Sequence, residues 1–169
     1  KFNLNSIRVK SSNPVGRVSD SVTRQNQKPD VGLRSANPTY KSSENILALC
    51  PGAEYGVAKR WPASYYAEVA RHKIAQGWQV WLFGSDKDKE AAEQINKEVD
   101  GRCIDFTGRT SLAEAVDLMS LVNTVVTNDS GLMHVAAALD KKIIALYGSS
   151  DPDFTPPLNA RARVIYLNL

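Results

Sequence analysis

Thr124-Val125-Val126-Thr127-Asn128-Asp129-Ser130-Gly131-Leu132-Met133-His134-Val135-Ala136-Ala137-Ala138-Leu139 joins an apolar run to a helical pattern through a polar turn. Thr124–Thr127 reads as a short buried strand. After the turn, Leu132, Val135, Ala136 and Leu139 recur at i, i+3, i+4 and i+7, the spacing of one helical face. An acid, a hydroxyl and a glycine stand between the two elements. A helix that starts at such a turn presents unpaired backbone N–H groups and the positive end of its dipole. That end holds anions, and phosphate is the usual one.

The same strand-then-helix unit repeats on both sides. Ile46-Leu47-Ala48-Leu49-Cys50 is a continuous apolar run stopped by Pro51-Gly52, the pattern of a strand buried on both faces. Residues 51–61 read as a loop, and Pro62 suits the first position of a helix whose face carries Tyr66, Val69, Ala70 and Ile74 until Gly77. A second strand spans 78–83 and stops at Gly84. Ser85 with Asp88 forms a capping box that opens a helix to about Val99. Cys103–Phe106 is a third strand. Ser111 with Glu114 is another capping box, followed by Leu112, Ala115, Val116 and Met119 at helical spacing. Lys142–Tyr147 and Arg163–Leu167 are further strands, with a Pro-rich loop (Pro152, Pro156, Pro157) between them.

Strands that alternate with helices make βαβ units. The expected fold is therefore α/β, a Rossmann-like parallel sheet of about six strands with helices on both faces. Ligands in such sheets sit at the carboxyl ends of the strands. Here those ends carry Pro51-Gly52-Ala53, Gly84-Ser85, Thr107-Gly108, Asn128-Asp129-Ser130-Gly131 and Gly148-Ser149.

Bulk properties narrow the function classes. The chain has 169 residues, 43% hydrophobic and 23% charged, enough for one domain with a sizeable core. No run approaches the ~18 apolar residues of a membrane span, and the polar start lacks the apolar core of a signal peptide. Two cysteines, Cys50 and Cys103, lie in or beside apolar runs and show no metal-binding spacing, as expected of strand residues in a reducing compartment. Residues 1–44 hold eight Lys/Arg against three Asp/Glu, while residues 45–169 hold thirteen against fifteen. The basic excess thus sits in a polar leader, and a nucleic-acid surface on the domain is not expected. The organisation expected is a poorly structured leader or insertion over 1–44 and a single Rossmann-like domain over 45–169. Short apolar pairs such as Ile7/Val9 offer at most a local strand.

Several residues are candidates for chemistry, each with a plainer reading beside it. Asp129 is either an N-cap, worth ~1 kcal/mol, or part of a ligand site with Ser130 and Gly131. Glycine in a first helical turn costs ~1 kcal/mol against alanine, which favours a ligand's close approach to the backbone. His134 is either a satisfied core histidine or a ligand-facing one. Lys59, in Lys59-Arg60-Trp61-Pro62, is either solvated or neutralises a phosphate. A helix end supplies ~0.3–1 kcal/mol per charge, rising to ~2 when partly buried, whereas micromolar affinity needs ~8 kcal/mol. A nucleotide diphosphate therefore needs a cation and an apolar pocket as well. The glycine fingerprints of dinucleotide-binding and P-loop folds are absent. Asp151-Pro152-Asp153 resembles a DxD metal motif but lies in the Pro-rich loop, so no metal is expected.

Cys50-Pro51-Gly52-Ala53-Glu54-Tyr55-Gly56, Lys59-Arg60-Trp61-Pro62, Thr127–His134 and Tyr147-Gly148 with Asp153-Phe154-Thr155-Pro156-Pro157 resemble the motifs of the ADP-heptose:lipopolysaccharide heptosyltransferases. The resemblance covers about residues 45–167. Phe2-x-Leu4-Asn5-Ser6 is similar to the family's segment ahead of the first strand, which makes roughly 7–44 an insertion. The resemblance implies a GT-B enzyme of two Rossmann-like halves, of which this chain matches the C-terminal, donor-binding one. It implies Lys59 at the diphosphate, Asp129, Ser130, Gly131 and Leu132 at phosphate and heptose, and His134 near the donor. It also implies Thr110 near adenine and Asp88 near the ribose. Leaving-group stabilisation falls to Lys59, Ser130 and Gly131, while the general base belongs to the N-terminal half.

ADP-heptose and ADP are then substrate and product, and no tightly bound cofactor is implied. The acceptor is the lipopolysaccharide core, reached through the other half. The location implied is cytoplasmic, at most peripheral to the inner membrane. A GT-B-like nucleotide-sugar epimerase domain and a non-catalytic nucleotide-binding module are the alternatives. Alone, the chain is expected to bind ADP weakly and to turn nothing over.

Overall fold

The computed structural model describes residues 8–11, 45–53 and 56–166. The readings made for the rest of the leader, for Glu54-Tyr55 and for Leu167 fall outside the described residues. In chain order the elements are β1 (Arg8–Ser11), β2 (Ile46–Cys50), α1 (Ala63–Ala75), β3 (Gln79–Leu82) and α2 (Lys89–Glu98). These are followed by β4 (Ile104–Asp105), α3 (Leu112–Ser120), β5 (Thr124–Asn128), α4 (Gly131–Ala138), β6 (Lys142–Tyr147) and β7 (Ala162–Tyr166). Single 3-10 turns at Val57–Lys59 and Asp86–Asp88 precede α1 and α2.

The sheet runs β1-β7-β6-β5-β2-β3-β4. Its six strands from β2 onward pair in parallel, as the alternating pattern predicts. β1 adds a seventh, antiparallel to β7, with Arg8 opposite Tyr166 and Ser11 opposite Arg163. It lies inside the leader, where the sequence offers only a short apolar pair; its partner strand is more than 150 residues away, beyond the reach of local periodicity.

Alternation along the strands explains the unbroken apolar runs. Leu47, Leu49, Val80 and Leu82 point to the face covered by Tyr66, Ala67 and Ala70 of α1 and Ala92 and Ile95 of α2. Ala48, Cys50, Trp81, Val125 and Ile143 point to the opposite face, under Ala115 and Met119 of α3 and Met133 and Ala136 of α4. Both faces are dry, so both phases of each strand are hydrophobic.

The helix ends follow their sequence signals. Ser111 and Glu114 complete the expected capping box on α3, with Ser111 N–H and Oγ both donating to Glu114 Oε2 at 2.8 Å. Gly77 (φ +80°) terminates α1; its N–H donates to Ile74 O and that of Trp78 to Lys73 O, the paired bonds of a Schellman ending. Pro62 is the N-cap of α1 rather than its first residue, a one-residue difference within the fraying of any helix end.

Two face assignments need correction. The buried residues of α4 are Met133 and Ala136, whereas Leu132, Val135 and Leu139 are only half-buried. In α3, Leu112 is 68% exposed. Both helices begin beside an open space at the sheet's carboxyl edge, which Leu112 and Leu132 line, Leu132 packing against the edge of the core as well.

The strand order itself makes that space. From β2 the chain moves outward to β3 and β4, then returns to lay β5 against the other side of β2 and moves outward again to β6 and β7. The loops after β2 and β5 leave in opposite directions, opening a crevice at the topological switch point.

Candidate nucleotide-sugar site

A cavity of about 670 Å³ fills this crevice. Its floor is apolar, with Cys50 and Phe83 at the strand ends and Ala115, Leu132 and Val135 from α3 and α4. Phe106 stacks on Phe83 with ring centroids 5.4 Å apart and meets Trp81 edge-on at 5.3 Å, stiffening the floor from below. All eight residues singled out from sequence line it: Lys59, Asp88, Thr110, Asp129, Ser130, Gly131, Leu132 and His134. Sequence reasoning missed Phe83, Ser111, Leu112, Val135 and Thr155. Ser111, Leu112 and Val135 had been read for their helices, yet they adjoin the site's polar residues, a signal that could have found them.

The polar residues gather at the end where β5 meets α4. Ser130, not Asp129, is the N-cap: its backbone is extended (φ −150°, ψ 167°) and its side chain makes no cap bond. Its Oγ instead lies 3.2 Å from Thr127 Oγ1. Gly131 begins the helix, exposed, and a Cβ added there would meet nothing within 4 Å. The protein itself does not require a glycine here, so the clearance is toward the cavity. His134, one turn on, is exposed at the cavity wall, which sets aside its reading as a core histidine.

Asp129 is almost wholly buried and its Oδ2 accepts from Lys59 Nζ at 2.8 Å. Lys59, on the 3-10 turn after β2, is therefore neither solvated nor free: its side chain is 29% exposed and closes the cavity's polar end. Burial pushes the Asp129 carboxyl up. The hydrogen bond from Lys59, the Ser150 hydroxyl, the Lys59 charge and Thr155 together outweigh burial and hold it below the ordinary carboxylate range. Ser150 Oγ falls short of full hydrogen-bond geometry, so the ammonium carries most of the effect. The loop after β6 is drawn to this end by Tyr147, whose hydroxyl donates to Thr155 O and contacts Met133 Sδ at 3.3 Å.

Asn128, fully buried at the end of β5, ties the two sides of the switch point together. Its Oδ1 accepts from Trp61 N–H at 3.1 Å and from Tyr66 Oη at 3.0 Å. Its Nδ2 donates to Pro51 O at 2.8 Å and Gly52 O at 3.4 Å. One amide thus positions the loop after β2, the entry to α1 and, through its neighbour, Asp129. Trp61 packs on Tyr65 and Tyr66 with centroids 5.3 and 5.1 Å away, the packing role open to it from sequence.

At the far end, Asp88 is nearly buried and committed to internal partners. Its Oδ2 accepts from Ser85 N–H (2.9 Å) and Ser85 Oγ (2.8 Å), completing the second predicted capping box. Its Oδ1 accepts from Arg60 Nη2 at 3.3 Å. The two strand-end glycines leave it room: a Cβ at Gly52 would lie 2.5 Å from Asp88 Cγ, and one at Gly84 would lie 2.9 Å from Asp88 Cβ. Among the described residues no cluster of His, Cys, Asp or Glu is arranged to hold a metal ion. Asp151 accepts instead from Asp153 N–H at 2.9 Å in a local turn.

A Rossmann-like half with a cation, a helix N-terminus and an apolar floor at the switch point is shared by many nucleotide-binding proteins. The family model that matches it is specific: glycosyltransferase family 9 (heptosyltransferase), over residues 11–169. The chain belongs to glycosyltransferase family 9. Its relatives in that family include lipopolysaccharide heptosyltransferase 2 of Salmonella typhimurium, 51% identical over 139 residues, covering 80% of this chain and 40% of the relative. The solved E. coli ADP-heptose LPS heptosyltransferase II superposes with TM-score 0.69 at 50% identity, over 75% of this chain and 40% of that one. E. coli heptosyltransferase WaaC, solved with ADP, shares the fold at 23% identity and TM-score 0.64, over 75% of this chain and 39% of that one. The chain spans about 40% of the length of these family members. No helix among the described residues is long and apolar enough to cross a membrane.

Proposed function

We propose that the chain is the donor-binding half of an inverting heptosyltransferase that moves heptose from ADP-heptose onto the lipopolysaccharide inner core in the cytoplasm. Family membership supports the reaction class, and the 50%-identical relatives, named heptosyltransferases 2, support the sugar. The observation that carries the reading is the lining of the cavity, where Phe83, Leu112, Ala115 and Val135 offer an apolar surface suited to a planar base and Lys59, Ser130 and Gly131 offer groups suited to a diphosphate.

In this reading adenosine lies toward Thr110 and Leu112, and Asp88 shapes the ribose side through Arg60 and Ser85. The diphosphate lies on the first turn of α4 with Lys59. The sugar reaches Asp129 and His134. As the acceptor hydroxyl attacks the anomeric carbon, the bond to the diphosphate oxygen breaks and negative charge grows on the leaving ADP. Lys59 and the amides of Ser130 and Gly131 stabilise that charge in place, which is catalysis by preorganised donors. Neither cavity carboxylate suits a general base. Asp129 is held ionised against a lysine, and both Asp88 oxygens are taken. The base is therefore supplied from the part of the enzyme that this chain does not match.

Calorimetric titration with ADP, ADP-heptose and UDP-sugars tests the reading. ADP and ADP-heptose bind, UDP-sugars bind more weakly, and Lys59→Ala weakens ADP by more than it weakens adenosine. Preference for UDP points instead to an epimerase-like domain. Absence of any nucleotide binding points to a module without this function. Equal losses of ADP and adenosine in Lys59→Ala count against a phosphate role for Lys59.

A further inference from the structure

The polar end of the cavity pairs a cation meant for phosphate with an anion that phosphate repels. Asp129 Oδ2 sits 2.8 Å from Lys59 Nζ, its side chain is 6% exposed, and both residues line the cavity beside Ser130 and Gly131. We propose that Asp129 is a specificity-determining residue that acts as a charge filter, disfavouring the free nucleoside diphosphate product relative to the sugar-diphosphate donor. The inference rests on the ADP-sugar reading of the cavity and goes beyond it by assigning discrimination between donor and product to one carboxylate.

The discrimination is electrostatic. With Asp129 ionised, the Lys59–Asp129 pair contributes no net charge, and the anion is held by the α4 amides and by whatever share of Lys59 it can draw off. A sugar-linked diphosphate carries one negative charge fewer than ADP, because the glycosyl ester removes an ionisable oxygen whose second pKa lies near 6. That oxygen is the one nearest the sugar end, where Asp129 stands. In the donor, the same volume holds sugar hydroxyls, which donate to a carboxylate. Asp129 thus meets donors when the substrate is bound and an extra anion when only product remains. Its position is set by Lys59 on the loop after β2, which holds Oδ2 at 2.8 Å, with the Ser150 and Thr155 hydroxyls of the loop after β6 nearby. It is ionised at neutral pH, as a filter by charge requires.

The test is the ratio of dissociation constants for ADP and ADP-heptose, measured calorimetrically at neutral pH on the full chain and on Asp129→Asn. Asparagine keeps the size and an acceptor for Lys59 while removing the charge. ADP binding tightens, ADP-heptose binding does not, and the ratio Kd(ADP)/Kd(ADP-heptose) falls about tenfold or more. One unit charge about 4 Å away changes an equilibrium about fivefold at the dielectric of water and several hundredfold at an effective dielectric of about 20. AMP, whose phosphate ends short of the sugar position, moves least. The complementary variant Lys59→Gln leaves Asp129 charged without its counterion, and the ratio rises.

A ratio that stays fixed in Asp129→Asn, or ADP weakening in step with ADP-heptose, overturns the inference and leaves the functional reading standing. Should Asp129→Asn show no cooperative melt, Lys59→Gln decides: a ratio that is unchanged or lower overturns the inference. Failure of the wild-type chain to bind either nucleotide overturns the functional reading and the filter together.

Discussion

Removing the Asn128 side chain should loosen the whole switch point. Asn128→Ala deletes an amide that accepts from Trp61 N–H and Tyr66 Oη and donates to Pro51 O and Gly52 O. Tyr66 Oη keeps an alternative acceptor, Cys50 O at 3.3 Å, so its loss is small. Gly52 O, at 3.4 Å, held only a long contact. Trp61 N–H and Pro51 O are the two groups left stranded, at ~1–3 kcal/mol each. The expected destabilisation is roughly 2–6 kcal/mol, or about 4–24 °C in Tm for a domain of this size. Thermal unfolding followed by circular dichroism reads it directly.

Asn128→Asp separates the donor bonds from the acceptor bonds. It preserves shape and acceptors but turns a carboxylate oxygen toward Pro51 O. Burial raises the pKa of such a group, so this variant loses stability as pH rises through that value and recovers as pH falls and the carboxyl becomes a donor. A loss below ~1 kcal/mol in Asn128→Ala, or an Asn128→Asp variant indifferent to pH, would refute the bridging role given to Asn128.

Three further outcomes follow from the geometry. Gly52→Ala places a Cβ 2.5 Å from Asp88 Cγ; the carboxylate must leave its cap, at a cost of ~1–3 kcal/mol, whereas Gly131→Ala, with open space around it, leaves Tm near wild type. Burial pushes the Cys50 thiol up to about 12 and that of Cys103 to about 11. Both are therefore silent toward Ellman's reagent in native protein near pH 8 and react once guanidinium unfolds it; one fast thiol in the native state contradicts this. Asp129 has a folded pKa below its unfolded one, so the stability it adds is complete above its unfolded value of ~3.9 and disappears as pH falls through the folded value. Wild type and Asp129→Asn should therefore differ in Tm at neutral pH and converge in acid, and a constant difference would show that Asp129 does not titrate in this way.

How much of this was legible in the sequence depends on the range over which each signal acts. The apolar runs at Ile46–Cys50 and Lys142–Tyr147 and the Ser–x–x–Glu box at 111 are local, and each became the element it announced; the box at 85 formed too, but it opens the 3-10 turn Asp86–Asp88 and α2 starts only at Lys89. The site was legible because a parallel sheet gathers its strand ends at one edge, so short polar motifs far apart in sequence meet there. What a partner does to a residue was not legible. Lys59 and Asp129 are 70 positions apart, and nothing in either motif says that the cation first meets an internal carboxylate. Asn128 reads as an ordinary strand-end residue until the loops it bonds are in place.

Periodicity failed in a more instructive way at α4. The i, i+3, i+4, i+7 pattern found an apolar stripe, but Leu132 and Val135 belong to the cavity wall while Met133 reaches the core. Hydrophobic spacing reports that a face is apolar, not whether protein or ligand covers it. At Arg8–Ser11 the limit was the opposite one: the Ile7/Val9 pair offered a local strand, but its pattern is too brief to give bounds, and its pairing with β7 is long-range.

If the cavity between the ends of β2 and β5 is an ADP-sugar site, its backbone amides sense the donor directly. Amide shifts of isotopically labelled chain during titration with ADP-heptose test it residue by residue. Saturable shifts are expected at Ser130 and Gly131, at Gly52 and Gly84 and at Lys59, with the strand β1 edge unmoved. Shifts confined to another surface, or none at concentrations where ADP binding is measured, would contradict it.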